Sequence, residues 1–176
     1  DVYKRQGIAK LANSLDISQD KAKALKKKYN DNVNFLNNII VRATRYTEQN
    51  GYINTLLGRR CRFDLWENKD FHDKRMMNHE NAKKTWAWNE MKRAGTYRAL
   101  NRLIQGSAAD QTKKAMVDLW SICKVTPMIQ IHDELNISVA NETQVKEIKQ
   151  IMESAVELHV PVKCEAKIGT NWGEIK

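Results

Sequence analysis

An α+β domain, helices packed on a small antiparallel sheet, is the fold class that this chain of 176 residues predicts. Three observations lead there. Apolar residues recur at 3–4 spacing over residues 19–50, 97–123 and 142–157, which is the helical period. Residues 129–131 and 135–139 alternate apolar with polar, the period of a strand. Between those two runs lies the polar triplet His132-Asp133-Glu134, so they form a predicted β-hairpin with acids at its tip.

Composition narrows the function classes. A hydrophobic fraction of 41% and a charged fraction of 29% fit a soluble globular protein. No apolar run approaches the ~20 residues that span a bilayer, and no signal-peptide pattern opens the chain. Cys61, Cys123 and Cys164 are odd in number and lack any Cys-x-x-Cys spacing. Neither a disulfide framework nor a zinc site is expected, and a reducing cytoplasm is the default location. The formal net charge of +9 makes a polyanion the leading class of partner.

Taken in order, Ser18 caps a helix from Gln19, with Asp20 in its first turn and Ala22, Leu25 and Tyr29 on one face. Lys21, Lys23, Lys26, Lys27 and Lys28 crowd that helix and read as a solvated cationic surface. A second helix from about Asp31 carries Val33, Leu36, Ile40, Ala43 and Thr47 at 3–4 spacing, and Gly51 stands where a left-handed C-cap belongs. Residues 52–57 read as a strand and 58–63 as a turn into a return strand. Arg59, Arg60 and Arg62 there offer fork-shaped donors suited to phosphate oxygens. The competing reading is a charged edge that merely prevents sheet aggregation.

Residues 64–96 show no clean period. Trp66, Phe71, Trp86 and Trp88 read as core or lining aromatics, with stacking on bases as the alternative, and His72 and His79 lack ligand spacing. A helix over 97–123 then has an apolar stripe of Leu100, Ile104, Ala108, Ala115, Leu119 and Ile122. Arg98, Asn101 and Gln105 form a polar row on another side. Beside that row Gly106, Ser107, Ala108 and Ala109 leave the helix almost bare for a turn. A mid-helix glycine costs ~1 kcal/mol against alanine, so close approach to a sheet is expected there. The polar row would then meet a nucleic-acid groove, or else belong to a buried polar network at the helix–sheet contact.

At the hairpin tip, rigid carboxylates suit a hard divalent cation aimed at a phosphate; the plainer alternative is an ordinary turn. A helix over 142–157 buries Val145, Ile148, Met152 and Ala155. Pro161 precedes an alternating run over 162–168, read as a last strand, and Gly169 and Gly173 bracket Trp172. No repeat or linker appears, so one structural unit is expected.

Four stretches together resemble a known family. They are Gly51-Tyr52-Ile53-Asn54-Thr55-Leu56-Leu57-Gly58-Arg59-Arg60, Leu103-Ile104-Gln105-Gly106-Ser107-Ala108-Ala109-Asp110, Gln130-Ile131-His132-Asp133-Glu134-Leu135, and Ile168-Gly169 through Trp172. In this order, from Gly7 onward, the chain resembles the C-terminal part of a family A, polymerase I-like, DNA polymerase. Its compact form and Lys/Asn-rich composition are similar to those of phage or metagenomic members.

The resemblance implies a right-hand polymerase fold, with residues 7–50 as the end of the fingers and 51–176 as palm. It implies that Asp133 is one of two palm aspartates holding divalent ions, with Glu134 its acidic neighbour and His132 facing the primer end. Arg98, Asn101, Gln105 and Gln130 would read the minor groove or hold the backbones, and Arg59 and Arg60 would contact template phosphates. The implied activity is that of a DNA-directed DNA polymerase: a primer 3′-hydroxyl attacks the α-phosphate of a dNTP and pyrophosphate leaves. Two Mg2+ ions would assist, with Mn2+ able to substitute. The implied partners are primer–template DNA and dNTP, with no membrane; the implied location is cytoplasmic, in the host if phage-encoded.

The chain also departs from the family. The first palm aspartate and most of the nucleotide-binding fingers helix have no counterpart in it. Residues 1–6 fit poorly up to Gly7 and read as foreign or junction residues. The 176-residue chain is therefore expected to bind primer–template weakly and not to extend it. Two rival classes stand beside this one. In a non-catalytic basic nucleic-acid-binding protein, Asp133 would be a turn residue. A metal-dependent nuclease using Asp133 and Glu134 would need further acids, and the spacing of Asp110 and Asp118 commits neither.

Overall fold

Residues 8–70 and 72–174 are described by the structure, a computed structural model. Residues 1–6, Gly7 and Phe71, which figure in the expectations above, lie outside the described residues. The helices are α1 (Ile8–Leu15), α2 (Gln19–Asn32), α3 (Asn34–Asn50), α4 (His79–Thr85), α5 (Ala99–Cys123) and α6 (Glu142–Ser154). The strands are β1 (Tyr52–Asn54), β2 (Arg60–Arg62), β3 (Trp66–Asn68), β4 (Met76–Met77), β5 (Met91–Arg93), β6 (Ile129–Ile131) and β7 (Glu134–Asn136). Helices on small antiparallel sheets make this an α+β chain, as predicted.

Two compact units form rather than one. The first runs to Gly51 and resumes over Phe63–Leu100; the second comprises Tyr52–Arg62 and continues from Asn101. No linker marks the boundary, because residues 52–62 are a short excursion from one unit to the other and the last crossing lies inside α5.

In the first unit the caps follow the sequence. The Ser18 hydroxyl accepts the Lys21 N–H (3.3 Å) to open α2, and Leu11, Ala12 and Ala22 form the core between α1 and α2. α3 starts at Asn34 rather than Asp31, since Val33, at φ −123°, turns its N–H back to the Tyr29 carbonyl and ends α2. The predicted face of α3 is right, with Ala43 and Thr47 buried. Gly51 closes it at φ 77°, its N–H donating to the Thr47 carbonyl (2.8 Å).

Residues 64–96 fold into an antiparallel sheet of order β4-β3-β5 with α4 beside it. Asn78 caps α4 by accepting the Asn81 N–H (2.9 Å). Ala82, Trp86 and Met91 are the core, with Trp66 and Met77 packed on it. Strands of two or three residues are too short to display alternation, which is why this sheet left no period in the sequence.

In the second unit β1 and β2 pair as Tyr52↔Arg62, Ile53↔Cys61 and Asn54↔Arg60. The predicted strand is cut short: Leu56 and Leu57 belong to the turn and are exposed. Leu119, Val125, Ile148 and Ile151 form the main core, joined by Leu135 of the second hairpin and by Ile137 and Val139 just after it. Two expectations are corrected here. Ala115 and Leu119 of α5 are buried, but Ile104, Ala108 and Ile122 are exposed. Asp110 is buried as well, because its carboxylate meets Thr55 and Arg59 in the turn between β1 and β2. Residues 162–168 form no strand despite their alternation; alternation permits a ladder, but a partner edge is needed to make one.

Candidate active site

Two constellations in the second unit carry chemistry. The first is the β6–β7 hairpin, where the pairing Ile131↔Glu134 leaves a two-residue loop of His132 and Asp133. His132 takes φ 54°, a left-handed conformation that primed hairpin turns require and that few non-glycine residues adopt. Gln130 Nε2 donates to the His132 carbonyl (3.1 Å), bracing the loop. Leu135 and Ile137 anchor the hairpin in the core. His132, Asp133 and Glu134 are all exposed. Glu134 is not part of the turn as predicted but the first residue of β7, paired with Ile131.

Asp133 and Glu134, neighbours in sequence, carry carboxylates on a braced support, the donor type that Mg2+ takes. Among the described residues no group of three or more His, Cys, Asp or Glu side chains forms a metal set. The hairpin fits a divalent cation as part of a donor set.

The second constellation joins the β1–β2 hairpin to α5. Gly106 is bare because the hairpin lies against it: a Cβ there would come within 2.8 Å of Thr55 Cγ2 and 3.2 Å of Arg59 Nη2. The expected close approach is therefore found. Around it Thr55 Oγ1 donates to Asp110 Oδ2 (2.5 Å), Arg59 Nε donates to Asp110 Oδ1 (2.7 Å), and Arg59 Nη2 donates to the Gly106 carbonyl (3.1 Å). The Leu56 N–H donates to Ser107 Oγ (2.9 Å), and Arg102 Nη1 donates to the Arg62 carbonyl (2.9 Å). The Thr55 hydroxyl, more than the Arg59 charge, holds the Asp110 carboxyl below its ordinary range against the opposing effect of burial. Asp110 in turn raises Arg59 above its usual value.

Sequence reasoning placed a polar network at a helix–sheet contact as one of two outcomes, but with other members. Thr55, Ser107, Asp110 and Arg102 were missed; the one signal was that the bare turn at 106–109 needed a partner. Asn101 is half-buried and Gln105 exposed on α5. Arg98 does not stand on that helix, which begins at Ala99. It lies in the preceding turn Thr96–Arg98, in the first unit, with Nε donating to Tyr97 Oη (2.8 Å). Arg60 lies over the Tyr52 ring at 4.1 Å. Asp118 is held by Lys114 at 2.5 Å, so both helix acids considered for a nuclease are engaged by neighbours.

Comparison with known proteins extends over nearly the whole chain. The sequence profile of DNA polymerase family A matches residues 2–174. The chain is 32% identical over 166 residues to a DNA-directed DNA polymerase of Pseudomonas phage M6, covering 94% of this chain and 22% of that protein. It is 31% identical over 180 residues to DNA polymerase I of Borreliella burgdorferi, covering 97% of this chain and 18% of the relative. Its fold is similar to the POL domain of Pol1 from M. smegmatis, solved in complex with DNA primer-template and dNTP. The TM-score is 0.70 at 25% identity, over 99% of this chain and 29% of that one. The chain thus spans about a fifth of the length of the curated relatives it matches.

Proposed function

Because the chain belongs to DNA polymerase family A, we propose that it is the catalytic-hairpin part of a DNA-directed DNA polymerase. Its substrates would be primer–template DNA and dNTP. Residues 7–50 would be the end of the fingers and 51–176 the palm. The observation that carries this reading is Asp133 held on a two-residue loop whose first member, His132, sits at φ 54°. Backbone strain kept at an exposed tip points to a side chain that must be aimed.

Asp133 would hold a divalent cation, Mg2+ in this reading, with Glu134 beside it. Such a cation, when bound, neutralises charge on phosphoryl oxygens. This chain's own residues would do the rest. His132 would line the primer end, Gln130 would fix the loop that carries it, and Arg60 would meet a template phosphate. Arg98, Asn101 and Gln105 would touch the duplex, and the donor of Arg59 not held by Asp110 and Gly106 would remain for a phosphate. The reaction forms a bond from the primer 3′-oxygen to the α-phosphorus of the dNTP and breaks the bond to pyrophosphate.

The test is paramagnetic. With primer–template present, Mn2+ added to the 176-residue chain should broaden the amide resonances of residues 131–135, and Asp133→Asn should abolish this. Broadening centred elsewhere, or unchanged in the variant, would sink the assignment.

A further inference from the structure

The β4-β3-β5 sheet and α4 close over Ala82, Trp86 and Met91, yet Trp88 is left 67% exposed. Burying a large aromatic ring is among the most favourable packing terms a chain has; what marks Trp88 among the exposed apolar residues is the built support beneath it. The support is rigid. Trp88 opens the turn Trp88–Glu90, whose entry is fixed by the Ala87 N–H donating to Glu90 Oε2 (3.1 Å). Its ring leans on Trp66 (centroids 5.7 Å apart, 45°) and on the edge of His79 (6.0 Å, 71°). Trp66 stacks on His79 at 4.8 Å and carries the Arg93 guanidinium at 4.9 Å. His79 Nε2 is buried there without a hydrogen-bond partner, a cost that packing alone does not explain.

The segment over residues 63–100 carries eight Lys and Arg against six Asp and Glu, a small cationic excess. Lys69 Nζ donates to the Asn89 carbonyl (2.6 Å), which sets an ammonium beside the turn. Lys74, Lys83 and Lys84 are exposed and form no salt bridge among the described residues. Several acids of this segment are engaged: Glu67 by Lys92 (3.6 Å), Asp73 by Arg75 (2.7 Å), and Glu90 by the turn.

We propose that Trp88 is a stacking site for an unpaired base of single-stranded nucleic acid, with the lysines of the same segment supplying charge for its phosphates. Base–aromatic stacking tolerates any sequence, and a cationic surround favours the backbone. The site belongs to the first unit and stands independently of the hairpin in the second.

The experiment titrates the chain with a short oligothymidylate at low salt, reading tryptophan fluorescence and the anisotropy of a labelled oligonucleotide. Oligothymidylate should quench the fluorescence. Trp88→Leu, which keeps apolar bulk but has no aromatic face, should bind it about tenfold more weakly, one stacked base's worth. Trp88→Phe should stay within about threefold, and blunt duplex should bind all three alike. Equal binding of oligothymidylate by Trp88→Leu and wild type, or an equal loss on blunt duplex, overturns the site. Should Trp88→Leu lose its circular dichroism, the wild-type chain decides. Photocrosslinking with a 5-bromouracil oligonucleotide must label the peptide holding Trp88, and labels only outside residues 63–100 overturn the proposal. Trp88→Leu should leave the Mn2+ broadening of residues 131–135 unchanged, which separates this site from the polymerase reading.

Discussion

Asp110 ties α5 to the β1–β2 hairpin through its ionised form, and that makes the tie sensitive to acid. Its folded carboxyl lies below the unfolded value of about 3.9. The stability it contributes is therefore present above about pH 4 and lost as pH falls through the folded value. Asp110→Asn should cost about 2 kcal/mol at pH 6, allowing for the half-exposed Arg59 partner. In urea melts taken between pH 6 and pH 2, the gap between wild type and variant should close with acid. Asp73 and Glu153 are also held below their ordinary range, so both proteins weaken in acid and only the difference reports Asp110. His132 offers a second residue-scale outcome. At φ 54° a β-branched side chain is strained, so His132→Val should lower stability by about 1 kcal/mol while His132→Gly changes it by less than about half that. Chemical denaturation distinguishes them.

At the scale of elements, α5 and the β1–β2 hairpin test whether the glycine at 106 is there for contact. Alanine would gain about 1 kcal/mol of helix propensity, yet its Cβ would meet Thr55 Cγ2 at 2.8 Å. Thr55 cannot yield easily, because its hydroxyl is held by Asp110. Gly106→Ala should therefore destabilise by about 1–2 kcal/mol. Thr55→Ser removes the obstructing methyl and keeps the hydroxyl, so the double variant should recover most of the loss. A double-mutant cycle reads that coupling directly. The close approach was legible in the sequence because Gly106-Ser107-Ala108-Ala109 is an unusual run for a helix interior. Its partner was not, since Thr55 lies 51 residues from Gly106 and nothing local links them. Caps were legible for the opposite reason: Ser18 and Gly51 act on backbone within four residues of themselves. The β4-β3-β5 sheet was illegible because its strands are too short for a period, and its stacked Trp66 and His79 are 13 residues apart.

For the whole molecule, the net charge of +9 should show as steep salt dependence of DNA affinity. Arg60→Ala should lower the slope of log K against log salt by about 0.9 if Arg60 meets one phosphate. Arg59 stands apart, since its guanidinium also holds Asp110 and the Gly106 carbonyl. Arg59→Lys keeps the charge but not the fork, so it should lower stability and leave the salt slope nearly unchanged. Catalysis sets a further demand. Of the acids weighed for the site, Asp110 is engaged by Thr55 and Arg59 and Asp118 by Lys114, which leaves Asp133 and Glu134 for a cation. Two cations sharing one pair of adjacent side chains would lack donors. The 176-residue chain should accordingly bind primer–template in Mg2+ and dNTP yet give no extended product on a gel. Extension that disappears with Asp133→Asn would show that the hairpin's carboxylates are enough.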